Sequence, residues 1–302
     1  MKQRFITGII MALVLLPLII FEQLFFVFQI VMLAFVVIGV HELLSMYAKE
    51  KPFNKIIQCM ICVFAIVTYL VALDSFNFES LGGLEFFSIK LSYVSVFMLI
   101  SAVLFGTMVF FESFDGRDVG KALTIINYVA LGSAAVTALR FMGLRYIFYL
   151  FIITIFTDIF AYLFGMKFGK HKMCPKISPK KSWEGAIGGT VMATIAGTCF
   201  AFFYGTIFND PNFPTLLSFT SLGEAPSFVQ FIILFFITLT LSIAGQIGDL
   251  VASRLKRTYE IKDFGKIFPG HGGVLDRFDS AIYGALYLLG IFMILKDFFP
   301  LV

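Results

Sequence analysis

The sequence predicts an all-α, polytopic integral membrane protein with about nine transmembrane helices. Three observations carry that reading. Hydrophobic residues make up 59% of the 302 and charged residues only 14%. Mean hydropathy is +0.94. The apolar residues also fall in long runs separated by charged segments. Soluble domains average roughly 45–50% apolar and about 25% charged residues, and one compact core cannot hide 40 Phe and 11 Tyr behind so few polar groups. Lipid must be the solvent for most of the chain.

A bilayer core of about 30 Å takes about 20 apolar residues per helix. Runs of that kind occupy 5–21, 24–40, 56–73, 91–111, 122–141, 145–166, 185–208, 228–250 and 280–299. Lys2 and Arg4 give the first run the look of a signal peptide. No small-residue cleavage site follows it, however, and Phe21, Glu22 and Gln23 lead straight into the next run, so it is read as a helix. Of the 23 Lys and Arg, 19 fall in the N-terminus and the loops 41–55, 112–121, 167–184 and 251–279; Lys90, Arg140, Arg145 and Lys296 lie opposite. The positive-inside rule puts the first set in the cytoplasm and the C-terminus outside.

The clustered positive charge points to an anionic membrane surface or a phosphate-bearing ligand rather than to nucleic acid. Cys59, Cys62 and Cys199 sit in apolar segments and Cys174 in a polar loop, so no disulfide framework is expected; the Cys59-x-x-Cys62 spacing reads as buried packing. Residues 1–140 form an N-terminal set of spans, and 141–302 a C-terminal catalytic region whose loops 167–184 and 251–279 are long and polar enough to carry chemistry. The loop 209–227, without Lys or Arg, reads as a plain connector.

The densest chemistry lies between Gly245 and Asp279, where Asp249, Asp263, Asp276 and Asp279 are interspersed with Arg254, Lys256, Arg257, Lys262, Lys266 and Arg277. A solvated interfacial loop would also be charged. Asp276 and Asp279, however, are spaced to share one helix face, and Asp249 ends the eighth predicted span, so packing the last two spans together would gather three carboxylates. Such a cluster needs a cation, and hard oxygens without a His or Cys group favour Mg²⁺. The Pro269-Gly-His271-Gly272-Gly273 turn lets backbone N–H groups approach phosphate oxygens; His271 is read as a turn residue or nucleotide contact ahead of an acid–base catalyst.

Ser178, Pro179, Lys180, Lys181, Ser182, Trp183 and Glu184 precede a glycine-rich helix start, where free N–H groups and the helix dipole favour an anion. Basic cytoplasmic loops also follow from topology alone. Asp158 lies roughly 13 Å inside the sixth predicted span, a depth at which an ionisable group faces a wet cavity or a partner; a structural hydrogen bond is the plainer alternative. His41 and Glu42, at the end of the second span, read as interfacially solvated groups.

The run Ser253-x-Leu-Lys256-Arg257-x4-Lys262-Asp263-x-Gly265-x2-Phe268-Pro269-x-His271-Gly272-Gly273-Val274-x-Asp276-Arg277-Phe278-Asp279 resembles the signature of the phosphatidate cytidylyltransferases, or CDP-diglyceride synthetases, without a departure. Ser178–Gly185 resembles that family's second motif, with Ser182 where Thr is usual. Asp158 and the Gly248-Asp249 pair also match its acidic positions, while the first 140 residues match only as spans.

The resemblance implies transfer of a cytidylyl group from CTP to phosphatidic acid, giving CDP-diacylglycerol and pyrophosphate with Mg²⁺ required and a second cation allowed nearby. Asp249, Asp276 and Asp279 would hold the metal, with Lys256 among the catalytic groups. Lys256, Arg257 and Arg277 would bind the triphosphate, and Lys180, Lys181 and Ser182 would meet the lipid phosphate or share the nucleotide; Ser178, Ser253, Lys262, His271, Gly272, Gly273 and Asp158 complete the substrate-binding set without assignment to one substrate. The resemblance also suggests a homodimer among membrane lipids in a bacterial-type plasma membrane. Three rivals stand beside this reading. A CTP-dependent polyprenol or phytol kinase would release CDP instead of pyrophosphate. An ion-coupled transporter using Asp158 would leave the cytoplasmic motif without a purpose, and a membrane scaffold would require neither motif.

Overall fold

The computed structural model describes residue 10 and residues 13–76, 89–210, 213–268 and 272–301. Among the described residues, eight helices are long and apolar enough to cross a bilayer. They are α1 (Phe25–Tyr47, entered through a 3-10 turn at Glu22–Leu24), α2 (Lys55–Ser75), α3 (Tyr93–Phe110), α4 (Gly116–Met142), α5 (Leu144–Phe168), α6 (Trp183–Phe202), α7 (Ser227–Thr258) and α8 (Leu275–Phe298). Of the first expected span, residues 10 and 13–20 are helical and 5–9 and 11–12 lie outside the described residues. The only strands among the described residues, β1 (Lys172–Cys174) and β2 (Ser178–Ser182), form an antiparallel hairpin. Side chains such as Val109 and Phe110 of α3, 81% and 83% exposed, are stable only against lipid, which is why these helices need no polar face.

Several helices outrun the apolar windows that reveal them. α7 continues to Thr258 rather than ending near 250, so Asp249 lies inside a helix and Ser253, Arg254, Lys256 and Arg257 are helical, not in a loop. Lys256 and Arg257 in its last turn suit the negative end of the helix dipole. α8 begins at Leu275 rather than 280 and carries Asp276 in its first turn, where the dipole favours a carboxylate. The 209–227 connector is not plain either: Leu216 and Leu217 are fully buried. Gln230 holds it in place by accepting from Thr215 Oγ1 (2.8 Å) and donating to the Gly223 and Ala225 carbonyls. All four cysteines are free; of the pair expected to be buried, Cys59 is exposed and Cys62 half-buried.

The chain forms two compact units. One comprises Met1–Phe141 with Leu255–Ile282, the other Met142–Arg254 with Tyr283–Val302. In the first, α4 contains a π turn at Ile126–Leu131 and begins with an Asp115/Asp118 capping box. Asp118, 1% exposed, accepts from Lys51 at 2.6 Å, and that bond raises the Lys51 ammonium above the ordinary lysine range. Tyr47 at the end of α1 meets Tyr259 edge-on at 5.0 Å, tying the end of α7 to this unit.

In the second unit, α5 and α6 pack closely because α6 carries small residues. A Cβ at Gly185 would stand 2.5 Å from the Ala161 carbonyl oxygen, and one at Gly189 would stand 2.5 Å from that of Thr157, the small-xxx-small packing of membrane helices. Polar pairs climb the interfaces with α7: Tyr149 with Thr238 (2.6 Å), Thr157 with Ser242 (2.7 Å) and Gln246 with Thr190 (2.7 Å). Gly189→Ala should therefore lower stability by about 1–3 kcal/mol, read as a fall in melting temperature in detergent. Gly106→Ala, at a position with nothing within 4 Å, should leave the melting temperature nearly unchanged.

Candidate active site

Two polar constellations carry the predicted residues, one in each unit. In the second unit, a cavity of about 510 Å³ is lined by Asp158, Lys172, Lys180, Lys181, Ser182 and Gln246, among others. The hairpin brings the lysines there. Lys172 pairs in register with Ser182, and the His171 ring Nδ1 meets Glu184 at 2.6 Å, clasping the hairpin to the start of α6. Lys181 forms an ion pair with Asp249 of α7, and Ser253, one turn on, reaches the same carboxylate at 3.5 Å.

Asp158 stands about 15 Å from the C-terminal end of α5 and lines this cavity, in keeping with the need of an ionisable group at that depth for a polar surrounding. Ser182 lines the cavity and also caps α6: its hydroxyl accepts from the Gly185 N–H at 3.2 Å. One of the helix-start donors expected to meet an anion is thus already used. Trp183 is 52% exposed and lies outside the cavity lining. Ser178 opens β2 opposite Cys174. Lys172 and Gln246 enter the site unannounced by the sequence, because strand register and interhelical facing are tertiary facts.

The signature forms the second constellation. Asp276, 8% exposed, gathers three donors: Oδ1 accepts from Lys256 Nζ at 2.6 Å, and Oδ2 accepts from the Phe264 N–H at 2.7 Å and the Gly273 N–H at 2.9 Å. Gly272 adopts φ +88°, and a Cβ there would lie 2.8 Å from Asp276 Oδ2, so both the backbone angle and the contact require glycine. The Phe268 N–H donates to the Gly272 carbonyl at 2.9 Å. His271, with Pro269 and Gly270, lies outside the described residues. The expectation that these glycines aim N–H groups at a ligand is corrected at Gly273, whose N–H serves Asp276.

The other predicted residues are placed as follows. Lys256 is engaged by Asp276 and lies over the Phe264 ring at 4.9 Å. Arg257 is exposed and donates to the Ile261 carbonyl at 3.2 Å, closing the end of α7. Asp279, 9% exposed, accepts from the Ser280 N–H at 2.8 Å. Lys262 and Arg277 are exposed.

Glu42 departs most from its expected role. It is not interfacially solvated but 3% exposed, accepting from the Val274 and Leu275 N–H groups at 2.8 and 2.9 Å. Buried N–H donors at a helix start must find an acceptor, and sequence offers no hint that it comes from α1.

Hard carboxylate oxygens suit a divalent cation in kind. Asp249 and Oδ1 of Asp276 each face a lysine ammonium, a positive charge at the position where carboxylates would take a metal. Oδ2 of Asp276 is committed to backbone and fixes the group's orientation. Among the described residues, no three His, Cys, Asp or Glu side chains are grouped as ready metal ligands.

A lysine-lined cavity among apolar helices, with carboxylates held by lysines, has the charge that a membrane-embedded protein handling phosphate groups requires. The chain belongs to the cytidylyltransferase family, whose model matches residues 2–295, and it is an enzyme of that type. It is 33% identical over 294 residues to a phosphatidate cytidylyltransferase of Staphylococcus haemolyticus (strain JCSC1435), covering 97% of this chain and 99% of that protein. It is 33% identical over 287 residues to the Bacillus subtilis (strain 168) protein of the same name, covering 94% of each. Identity reaches 41% over 181 residues with that of Staphylococcus aureus (strain COL), covering 60% of this chain and 61% of that one.

Proposed function

We propose that the protein transfers the cytidylyl group of CTP to phosphatidic acid, releasing pyrophosphate and leaving CDP-diacylglycerol in the membrane. The observation that carries this reading is the cavity where Lys172, Lys180 and Lys181 meet Asp158 beside apolar helices, in a chain whose full-length relatives are named for that reaction. A phosphate oxygen of the lipid attacks the α-phosphorus of CTP; a new P–O bond forms as the bond to the β-phosphate breaks. Two polyanions must meet, so neutralisation and in-line placement are the main requirements. The lipid phosphate is ionised near neutral pH, and no strong base is needed.

The lysines hold phosphate oxygens, and the Ser182 hydroxyl stands among them. Asp249, Asp276 and Asp279 are the carboxylates proposed for Mg²⁺, which when bound polarises the reacting phosphate and stabilises the leaving pyrophosphate. Arg257, Lys262 and Arg277, exposed around the signature, are proposed for the triphosphate. The distribution of basic residues supports a cytoplasmic active site in a bacterial plasma membrane.

Product analysis tests the reaction. Purified protein given phosphatidic acid, Mg²⁺ and CTP labelled at the α-phosphate should place the label in lipid and release pyrophosphate. Label appearing in free CDP, with a newly phosphorylated lipid, would support the kinase instead.

A further inference from the structure

We propose that Glu42 is a positioning residue for cytidylyl transfer, clamping the arms of the signature loop at Gly265 and at Gly273–Leu275 so that the Asp276 carboxylate is held in one orientation. This inference rests on the functional reading above. The two oxygens of Glu42 accept from consecutive N–H groups, Oε1 from Val274 and Oε2 from Leu275, which are the first donors of α8. The same carboxylate fills the space left by two glycines of the signature: a Cβ at Gly265 would fall 2.4 Å from Glu42 Oε1, and one at Gly273 would fall 2.3 Å from it. Gly273 in turn donates to Asp276 Oδ2. One side chain from α1 therefore touches both arms of the loop and the start of α8, and the loop arms hold Asp276. Without that carboxylate, two buried donors lose their acceptor and the arms have nothing to close on.

Glutamine keeps the shape of Glu42 but turns an NH₂ toward one of the two N–H donors. Glu42→Gln should lower kcat about tenfold to a hundredfold, the range found when a group supporting a reactive side chain is removed. KM for CTP and phosphatidic acid should stay within about twofold, because no substrate contact is lost. Kinetics are scored per molecule of monodisperse, folded protein, so a loss of folded material alone does not change kcat. Gly265→Ala, which presses on Glu42 without altering charge, should reduce kcat in the wild-type background. In the Glu42→Ala background, where the oxygen at 2.4 Å is gone and the Gly273 Cα at 3.1 Å is the remaining close neighbour, it should reduce kcat little further. Gly265→Ala alone, which leaves both Glu42 oxygens in place, keeps the inference testable where the Glu42 variants yield no folded protein: wild-type kcat in it would overturn the inference.

Wild-type kcat in Glu42→Gln, or additive losses from Gly265→Ala and Glu42→Ala, would overturn the inference while leaving the reaction intact. A wild-type protein that makes no CDP-lipid overturns the functional reading and this inference together.

Discussion

Asp276→Asn should damage both the fold and the reaction. The side chain is buried and accepts three hydrogen bonds, one of them from the ammonium of Lys256, itself 8% exposed. An amide has a single acceptor oxygen, so the substitution leaves either Lys256 or a pair of backbone N–H groups facing an NH₂. Breaking a buried ion pair from one side destabilises a protein by about 3–5 kcal/mol, which should appear as a lowered melting temperature in detergent. CDP-diacylglycerol synthesis should fall by about 100- to 1000-fold or more, as when a preorganised charged group is removed from a reacting phosphate. The double variant Lys256→Met/Asp276→Asn separates the two effects, because removing both charges avoids the uncompensated ammonium. It should regain much of the stability and none of the turnover. Full activity in Asp276→Asn would remove this carboxylate from the mechanism.

Lys181→Met should have the opposite profile, with catalysis lost and stability kept. The Lys181 and Asp249 side chains are 24% and 28% exposed, so an Asp249 left without its partner stays part-exposed, and the loss should be small beside that of the buried Asp276 pair. Within the cavity, Lys181 joins Lys180 and Lys172 around the space proposed for phosphate, and it alone is ion-paired with Asp249. Removing it should lower turnover by about 100- to 1000-fold with a melting temperature close to wild type. Lys180→Met, at an exposed position on β2, should instead raise KM for one substrate with a smaller change in kcat. Equal, small effects of the two substitutions would show that the cavity attracts anions only through its net charge.

Membrane embedding was legible because it depends on composition along the chain, and the apolar windows from the second onward each correspond to a helix. Their ends were not. Hydropathy reports which solvent surrounds a residue, whereas a helix ends where backbone hydrogen bonding ends. α7 therefore runs past Asp249 to Thr258, and α1 past His41 to Tyr47. The signature was readable as a set of residue types, but the use of its glycines was not. A glycine permits close approach by any neighbour, and at Gly265 and Gly273 that neighbour is the carboxylate of Glu42. Glu42 itself is separated from its partners by more than two hundred residues, beyond the reach of any local pattern. Lys172 shows the same limit at short range, since a three-residue strand has too little periodicity to say which way it points.

The length of α7 sets the depth at which Asp249, proposed above as a metal ligand, stands. Its 32 residues extend about 48 Å at 1.5 Å per residue, against about 30 Å of hydrocarbon. With Ser227 at one edge of the acyl region, Asp249 stands about 33 Å along the axis, just within the opposite headgroup layer. A phospholipid's own phosphate rests at that level. At that level the reaction proposed above would require no lifting of phosphatidic acid from its leaflet, and the acyl tails would never leave the oil.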